Sequence, residues 1–249
     1  MRVLLLIIIA LMLLNSLLIA IYCRLAEKQD ARIEAKRKQQ YNDANHDIGA
    51  VKPSEKKGIK KMIGGVYGKM NPYLYGWMRY CIVITGKIPS HRTRNIIYRL
   101  IFNMKITKNT VIYSGCELRS PWNIHADRCV ISTNCIIDGR RGVYIGQDVV
   151  FGGGVHLWTE EHDVNDPQFR VNYNNAQSVK IGAHAWICSD STILPGVQIG
   201  EGCVLATRAV ATKNCEEYSV YGGIPAKKIG SRNHELLYKL NGKPTWHFY

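Results

Sequence analysis

The sequence predicts a mainly-β protein: a three-sided parallel solenoid of about five coils, preceded by a transmembrane helix, a polar linker and capping helices. Three observations carry this. Ile181, Ile187, Ile193, Ile199 and Leu205 stand six apart, and Ala185, Ser191, Val197, Cys203 and Ala209 follow each by four. That beat is neither the 3.6 period of a helix nor an open period-2 strand. It fits a short strand and a turn per side, three sides to a coil, with coils that stack. Residues 3–22 contain no charged side chain. The basic excess is confined to the N-terminal part, and residues 109–249 balance thirteen basic against thirteen acidic groups.

In chain order, residues 1–23 read as an anchor. Their twenty uncharged residues, as a helix, reach about 30 Å, the thickness of the hydrocarbon layer. A cleaved signal peptide is the rival, but bulky Tyr22 before Cys23 makes a poor cleavage site. Six basic residues between Arg24 and Lys38, against Arg2 alone before the apolar run, predict a single pass in the cytoplasmic membrane with the main domain in the cytoplasm. Residues 24–61 read as a polar, partly helical or disordered linker. Residues 62–105 read as amphipathic and capping helices. Tyr73, Leu74, Trp77, Met78 and Tyr80 are dense there, but Arg79 and Gly86 leave the run too short to span, so it lies at the membrane interface or packs on the end of the coil. The eight basic groups of residues 62–108, without one acid, suit an anionic lipid surface. Ser90 is the N-cap of a helix whose stripe Ile96, Ile97, Leu100, Ile101 and Met104 is expected to plug the open end of the stack.

The solenoid itself is residues 106–232. Ile106, Ile112, Leu118, Ile124, Val130 and Ile136 keep the beat; residues 140–142 shift the frame; Ile145, Phe151 and Leu157 resume it. Residues 158–178 then leave the pattern altogether. A polar, aromatic tail, residues 233–249, reads as a short helix. The eight cysteines include no Cys-x-x-Cys pair, and Cys116 and Cys203 fall on the inward phase, so they read as reduced thiols rather than metal or redox ligands. A neutral solenoid argues against a nucleic-acid-binding catalytic domain.

Chemistry is expected in residues 158–178, the loop that leaves the scaffold. His162 stands there beside Glu160, Glu161 and Asp163. An imidazole can take a proton from an alcohol, and a neighbouring carboxylate or carbonyl fixes its tautomer.

The chain resembles the hexapeptide-repeat, left-handed parallel β-helix acyltransferases, most of all the sugar and exopolysaccharide O-acetyltransferases of the colanic acid, maltose and galactoside types. The resemblance rests on the repeats, on Trp158-Thr159-Glu160-Glu161-His162-Asp163, on Ala185-Trp186-Ile187, on Ile193-Leu194-Pro195-Gly196-Val197 and on Gly223-Ile224-Pro225-Ala226-Lys227, and covers about residues 88–232. It implies a homotrimer that moves an acetyl group from acetyl-CoA to a saccharide hydroxyl by direct transfer, with His162 as general base and no metal. It implies that Trp186, Ser189, Thr207, Thr212, Lys213, Lys227 and Lys228 line the cofactor and that Asn134, Trp158 and Asp163 meet the acceptor. Cys188, and Thr207 with Arg208 and Ala209, depart from the family pattern along the pantetheine path; Cys188 as an acyl-carrying nucleophile is the variant this leaves open. N-acetylation of an amino sugar and a non-catalytic, membrane-tethered trimeric scaffold are the alternatives. A three-histidine zinc site is disfavoured, because His156 and His162 stand on successive sides.

Overall fold

The computed structural model describes residues 2–45, 59–172 and 177–244. The chain forms two compact units, Met1–Tyr80 and Cys81–Tyr249. In the first, α1 (Arg2–Asn45) is one helix of 44 residues, running without a break from the apolar stretch into the charged one. It is long and apolar enough to cross a membrane, and most of its apolar residues are exposed. The linker is therefore helical to Asn45; residues 46–58 lie outside the described residues. α2 (Ile59–Gly86) carries Pro72 within it. The two polar residues of the apolar run both find partners. Ser16 donates to the Met12 carbonyl at 2.9 Å, and Asn15 accepts from the Trp77 indole of α2 at 2.9 Å. In hydrocarbon an unpartnered amide would cost several kcal/mol, roughly.

The second unit is the solenoid. Its first side stacks Lys105–Ile106, Ile124–Ala126, Val143–Ile145, Val179–Ile181 and Gln198–Ile199. The second side stacks Val111–Ile112, Val130–Ile131, Val150–Phe151, Trp186–Ile187, Val204–Leu205 and Ser219–Gly222, with Lys227–Ser231 added antiparallel at the end. The third stacks Glu117–Arg119, Ile136–Asp138, His156–Leu157, Thr192–Ile193 and Val210–Ala211. All these pairs but the last of the second side are parallel, so five coils are complete and a sixth is begun. The three edges, in chain order, join first side to second, second to third, and third to first.

Register bears out the beat in the first coil and corrects it in the second. Ile112 pairs with Ile131, and Leu118 with Ile137, all buried; Val130 and Ile136, expected inside, stand half-buried on the outer face. A short 3-10 turn, Pro121–Asn123, lengthens the third edge, and the next edge is correspondingly tight. A slip of one residue moves a strand's whole apolar set to the other face, and here the Val-Ile and Ile-Ile doublets supply an aliphatic for either face.

The cap also differs from expectation. α3 (His91–Leu100) is capped by Ser90, whose hydroxyl accepts from Thr93 N, as expected. Its buried face, however, is His91, Arg94 and Tyr98, while Ile96 and Leu100 are exposed. The open end of a parallel stack presents unpaired carbonyls, which need donors more than hydrocarbon. At that end Arg94 donates to the Ile112 carbonyl and Asn95 to that of Thr110, and Arg94 also donates to the Ile88 and Pro89 carbonyls of the segment leading into α3. Burial pushes the Arg94 guanidinium below its ordinary pKa.

The tail is not helical among its described residues. It runs as an extended strap down the first edge. Arg232 donates to the carbonyls of His184 and Gly202, Tyr238 to those of His184 and Asp148, and Leu240 N to the Asp148 carboxylate at 2.7 Å. Gly242, in the left-handed region, lies close against Asn109 in the first coil.

Candidate active site

Residues 158–172 leave the third edge as an arm, and its root is built from both irregularities of the repeat. Asp138 closes the strand before the frame shift and is fully buried. Its carboxylate accepts from Arg140 Nε and Nη2, each at 2.8 Å, and from Thr159 N at 3.2 Å. Thr159 Oγ1 donates to the Asp138 carbonyl and accepts from Arg141 N. Glu160 bridges Arg140 at 2.7 Å and Arg141 at 2.5 Å. The inserted residues 140–142 thus hold the arm: two guanidiniums neutralise two carboxylates, one of them wholly buried.

Beyond the root the arm is a small hairpin. Asp163 N donates to the Arg170 carbonyl, Asn172 N to the Glu161 carbonyl, and His162 bridges Val171 antiparallel. Asp163 Oδ1 accepts from Asn165 N, and Asp166 pairs with Arg170 at 2.7 Å, which fixes the turn. His162 is exposed at the hairpin's surface. Its Nδ1 lies 2.8 Å from the Phe169 carbonyl oxygen. A carbonyl can only accept, so the proton sits on Nδ1 and the lone pair is left on Nε2. A carbonyl, not one of the three neighbouring carboxylates, sets the tautomer; Glu160 is turned away to the root. The imidazole also stacks on the Phe169 ring, centroids 4.3 Å apart and planes 2° from parallel.

The other expected residues fall on different parts of the prism. Trp158 starts the arm, with the Arg119 guanidinium 4.9 Å over its ring and His156 edge-on to it. Thr212 and Lys213 lie exposed on the same third edge, further along the stack. Ser189 and Thr207 turn the second edge, next to half-buried Cys188, whose thiol is pushed up by burial. Asn134 is also on the second edge, in the left-handed region at φ 57°, against Gly115 of the preceding coil; its position is that of a turn residue. Trp186 stands 48% exposed on the second side. Lys227 and Lys228 are exposed on the terminal antiparallel strand, where Lys228 is paired with Glu216 at 2.7 Å. One chain therefore separates the arm's histidine, on the third edge, from Trp186, Ser189 and Thr207, on the second side and edge. Among the described residues no three His, Cys, Asp or Glu side chains converge as a metal set. Sequence reasoning missed Asp138, Arg140, Arg141 and Phe169. The signal for the first three was present: two arginines at a frame break, just before an acidic excursion.

Residues 178–213 match the bacterial transferase hexapeptide (six repeats) family model. The chain is 30% identical over 143 residues to the putative colanic acid biosynthesis acetyltransferase WcaF of Escherichia coli (strain K12), covering 57% of this chain and 76% of that protein. It is 45% identical over 111 residues to a chloramphenicol acetyltransferase of Agrobacterium fabrum, covering 43% of this chain and only about half, 53%, of that one. Among solved structures it resembles a maltose O-acetyltransferase from Clostridium difficile 630, at 24% identity and TM-score 0.55, over 66% of this chain and 91% of that one. A hexapeptide-repeat acetyltransferase from Vibrio cholerae, solved with acetyl coenzyme A, gives TM-score 0.55 at 18% identity over 72% and 94%. These two likenesses speak for the fold. With the repeat, the arm and the extent of the match to the colanic acid enzyme together, the chain belongs to the hexapeptide-repeat acetyltransferases, of left-handed parallel β-helix fold.

Proposed function

We propose that this protein transfers an acetyl group from acetyl-CoA to a hydroxyl of a saccharide, with His162 as the general base. The observation that carries this is the Nδ1 bond of His162 to the Phe169 carbonyl, which leaves Nε2 as a fixed acceptor on an exposed arm. The acceptor hydroxyl gives its proton to Nε2 as its oxygen attacks the thioester carbonyl. The C–S bond then breaks, and the leaving thiolate takes the proton back from the imidazolium. Direct transfer is favoured over an acyl-enzyme on Cys188, because burial raises that thiol's pKa and so lowers its thiolate fraction. Trp158 and Asp163, on the arm, and Asn134 are the residues proposed to meet the acceptor; Trp186, Ser189, Thr207, Thr212, Lys213, Lys227 and Lys228 are proposed to line the acyl donor.

The working form is proposed to be a homotrimer. Along the second side the outward positions Val130, Val150, Trp186 and Val220 are apolar and partly exposed, while Val111 and Val204, in register with them, are covered within the chain. A strip of this kind suits a second copy of the chain. It would also bring the arm of one copy to the second edge of the next, which one chain alone keeps apart. α1 is proposed to moor the trimer to the cytoplasmic membrane, with the catalytic domain on the acetyl-CoA side and a cell-surface or exopolysaccharide precursor as acceptor. The 45% identity to a chloramphenicol acetyltransferase favours a second acceptor class, small aromatic alcohols.

Replacing His162 by Ala is expected to lower turnover a hundredfold or more, roughly the scale of general-base loss, with the oligomer and melting temperature unchanged. Undiminished turnover would refute the base. Mass spectrometry of products from a panel of saccharides and chloramphenicol, each with acetyl-CoA, separates the two acceptor classes.

A further inference from the structure

We infer that Phe169 is a positioning residue that stabilises the charge His162 acquires during transfer. This rests on the reading of His162 as base. Two contacts come from this one residue: the carbonyl bonded to Nδ1 at 2.8 Å, and the ring lying parallel to the imidazole at 4.3 Å. Neither is a packing accident. Phe169 holds φ at 49°, the left-handed region that a bulky side chain rarely occupies. The residue is 63% exposed, so burial does not explain its presence. The conformation is imposed by Phe169 N donating to the Asp166 carbonyl, and by the Arg170 pair with the Asp166 carboxylate that follows. A strained aromatic at a surface turn, stacked on the one outward-facing imidazole of the arm, points to function.

The chemistry follows from the charge. As Nε2 takes the hydroxyl proton, the ring becomes an imidazolium. A cation over an aromatic face is attracted by the ring's quadrupole, and the neutral imidazole is not. The bond from Nδ1 to the carbonyl strengthens in the same step, since its donor becomes charged. Both contacts therefore favour the state after proton transfer over the state before it, which is what lowers a barrier. The charged groups around the imidazole are Glu161 and Asp163, its neighbours in sequence, and Arg170 across the hairpin, itself held by Asp166; Glu160 is committed to Arg140 and Arg141.

Glycine accepts the left-handed region freely, so Phe169→Gly removes the ring while leaving the backbone able to keep its carbonyl in place. In the full-length protein we expect Phe169→Gly and Phe169→Leu to lower kcat roughly three- to thirtyfold with KM for acetyl-CoA near its original value. Phe169→Tyr, which restores an aromatic face, is expected to recover most of it. Unchanged kcat in Phe169→Gly, or a loss that Phe169→Tyr does not recover, would overturn the inference. Full turnover in His162→Ala would instead remove the base reading beneath it, so the two failures are distinct.

Discussion

At the scale of single residues, polar groups in buried places carry most of the specificity. Arg94 is the clearest case. It is wholly buried, yet it sits where three backbone carbonyls would otherwise be orphaned. Arg94→Leu is expected to destabilise the protein by about 2–4 kcal/mol, since each carbonyl left without a donor costs about 1–3 kcal/mol and some relaxation follows. Denaturant melts of the two proteins measure this; an equal midpoint would show that the cap is apolar after all. From sequence, Arg94 looked like one more member of a basic segment. Its role became visible only when the Ile112 carbonyl of the first coil and the Ile88 and Pro89 carbonyls before α3 were placed beside it. His162 was legible as a residue, because it interrupts a regular pattern. Phe169 was not, because its value lies in a backbone conformation and a ring contact that spacing does not encode.

At the scale of elements, the departures from the repeat are where the chain does something other than stack. The frame shift at residues 140–142 and the excursion after Leu157 meet in one ion-paired root. The tail, read from sequence as a short helix, is a strap, and its anchor is Asp148. Arg128 holds that carboxylate by two bonds, at 2.9 and 2.6 Å, and this, with the Leu240 N–H, keeps its pKa below the usual carboxylate value. A depressed carboxylate contributes stability that is present above its unfolded pKa and is lost as pH falls through the folded one. The melting temperature is therefore expected to fall once the pH drops below about 4. Asp148→Asn is expected to melt roughly 3–8 °C lower at pH 7 and to lose part of that acid dependence. Scanning calorimetry across roughly pH 3–7 checks both; a variant as stable as the original at neutral pH would show that the strap holds without this anchor.

At the scale of the whole molecule, a side that leaves three valines, Val130, Val150 and Val220, and a tryptophan partly exposed is not a surface for water. Val150→Glu places a charge in the middle of that strip without touching the inward Phe151. It is expected to convert the proposed trimer to monomer in sedimentation velocity while circular dichroism stays that of a β-solenoid, and to abolish turnover if the arm works on a neighbouring copy. A variant that remains trimeric would move the interface to another side.

The sequence by itself determined the class of architecture, because a three-sided coil needs one inward aliphatic per six residues, a period that neither a helix nor a flat sheet produces. It also determined the apolar helix and the loop that carries the histidine, since each is a break in composition or rhythm. Only the tertiary structure decided which member of the Val-Ile and Ile-Ile doublets faces inward, that the cap is closed by a guanidinium, and that the tail is a strap. Those outcomes turn on a corner's length and on which carbonyls are left unpaired, quantities set by contacts distant in sequence rather than by local pattern.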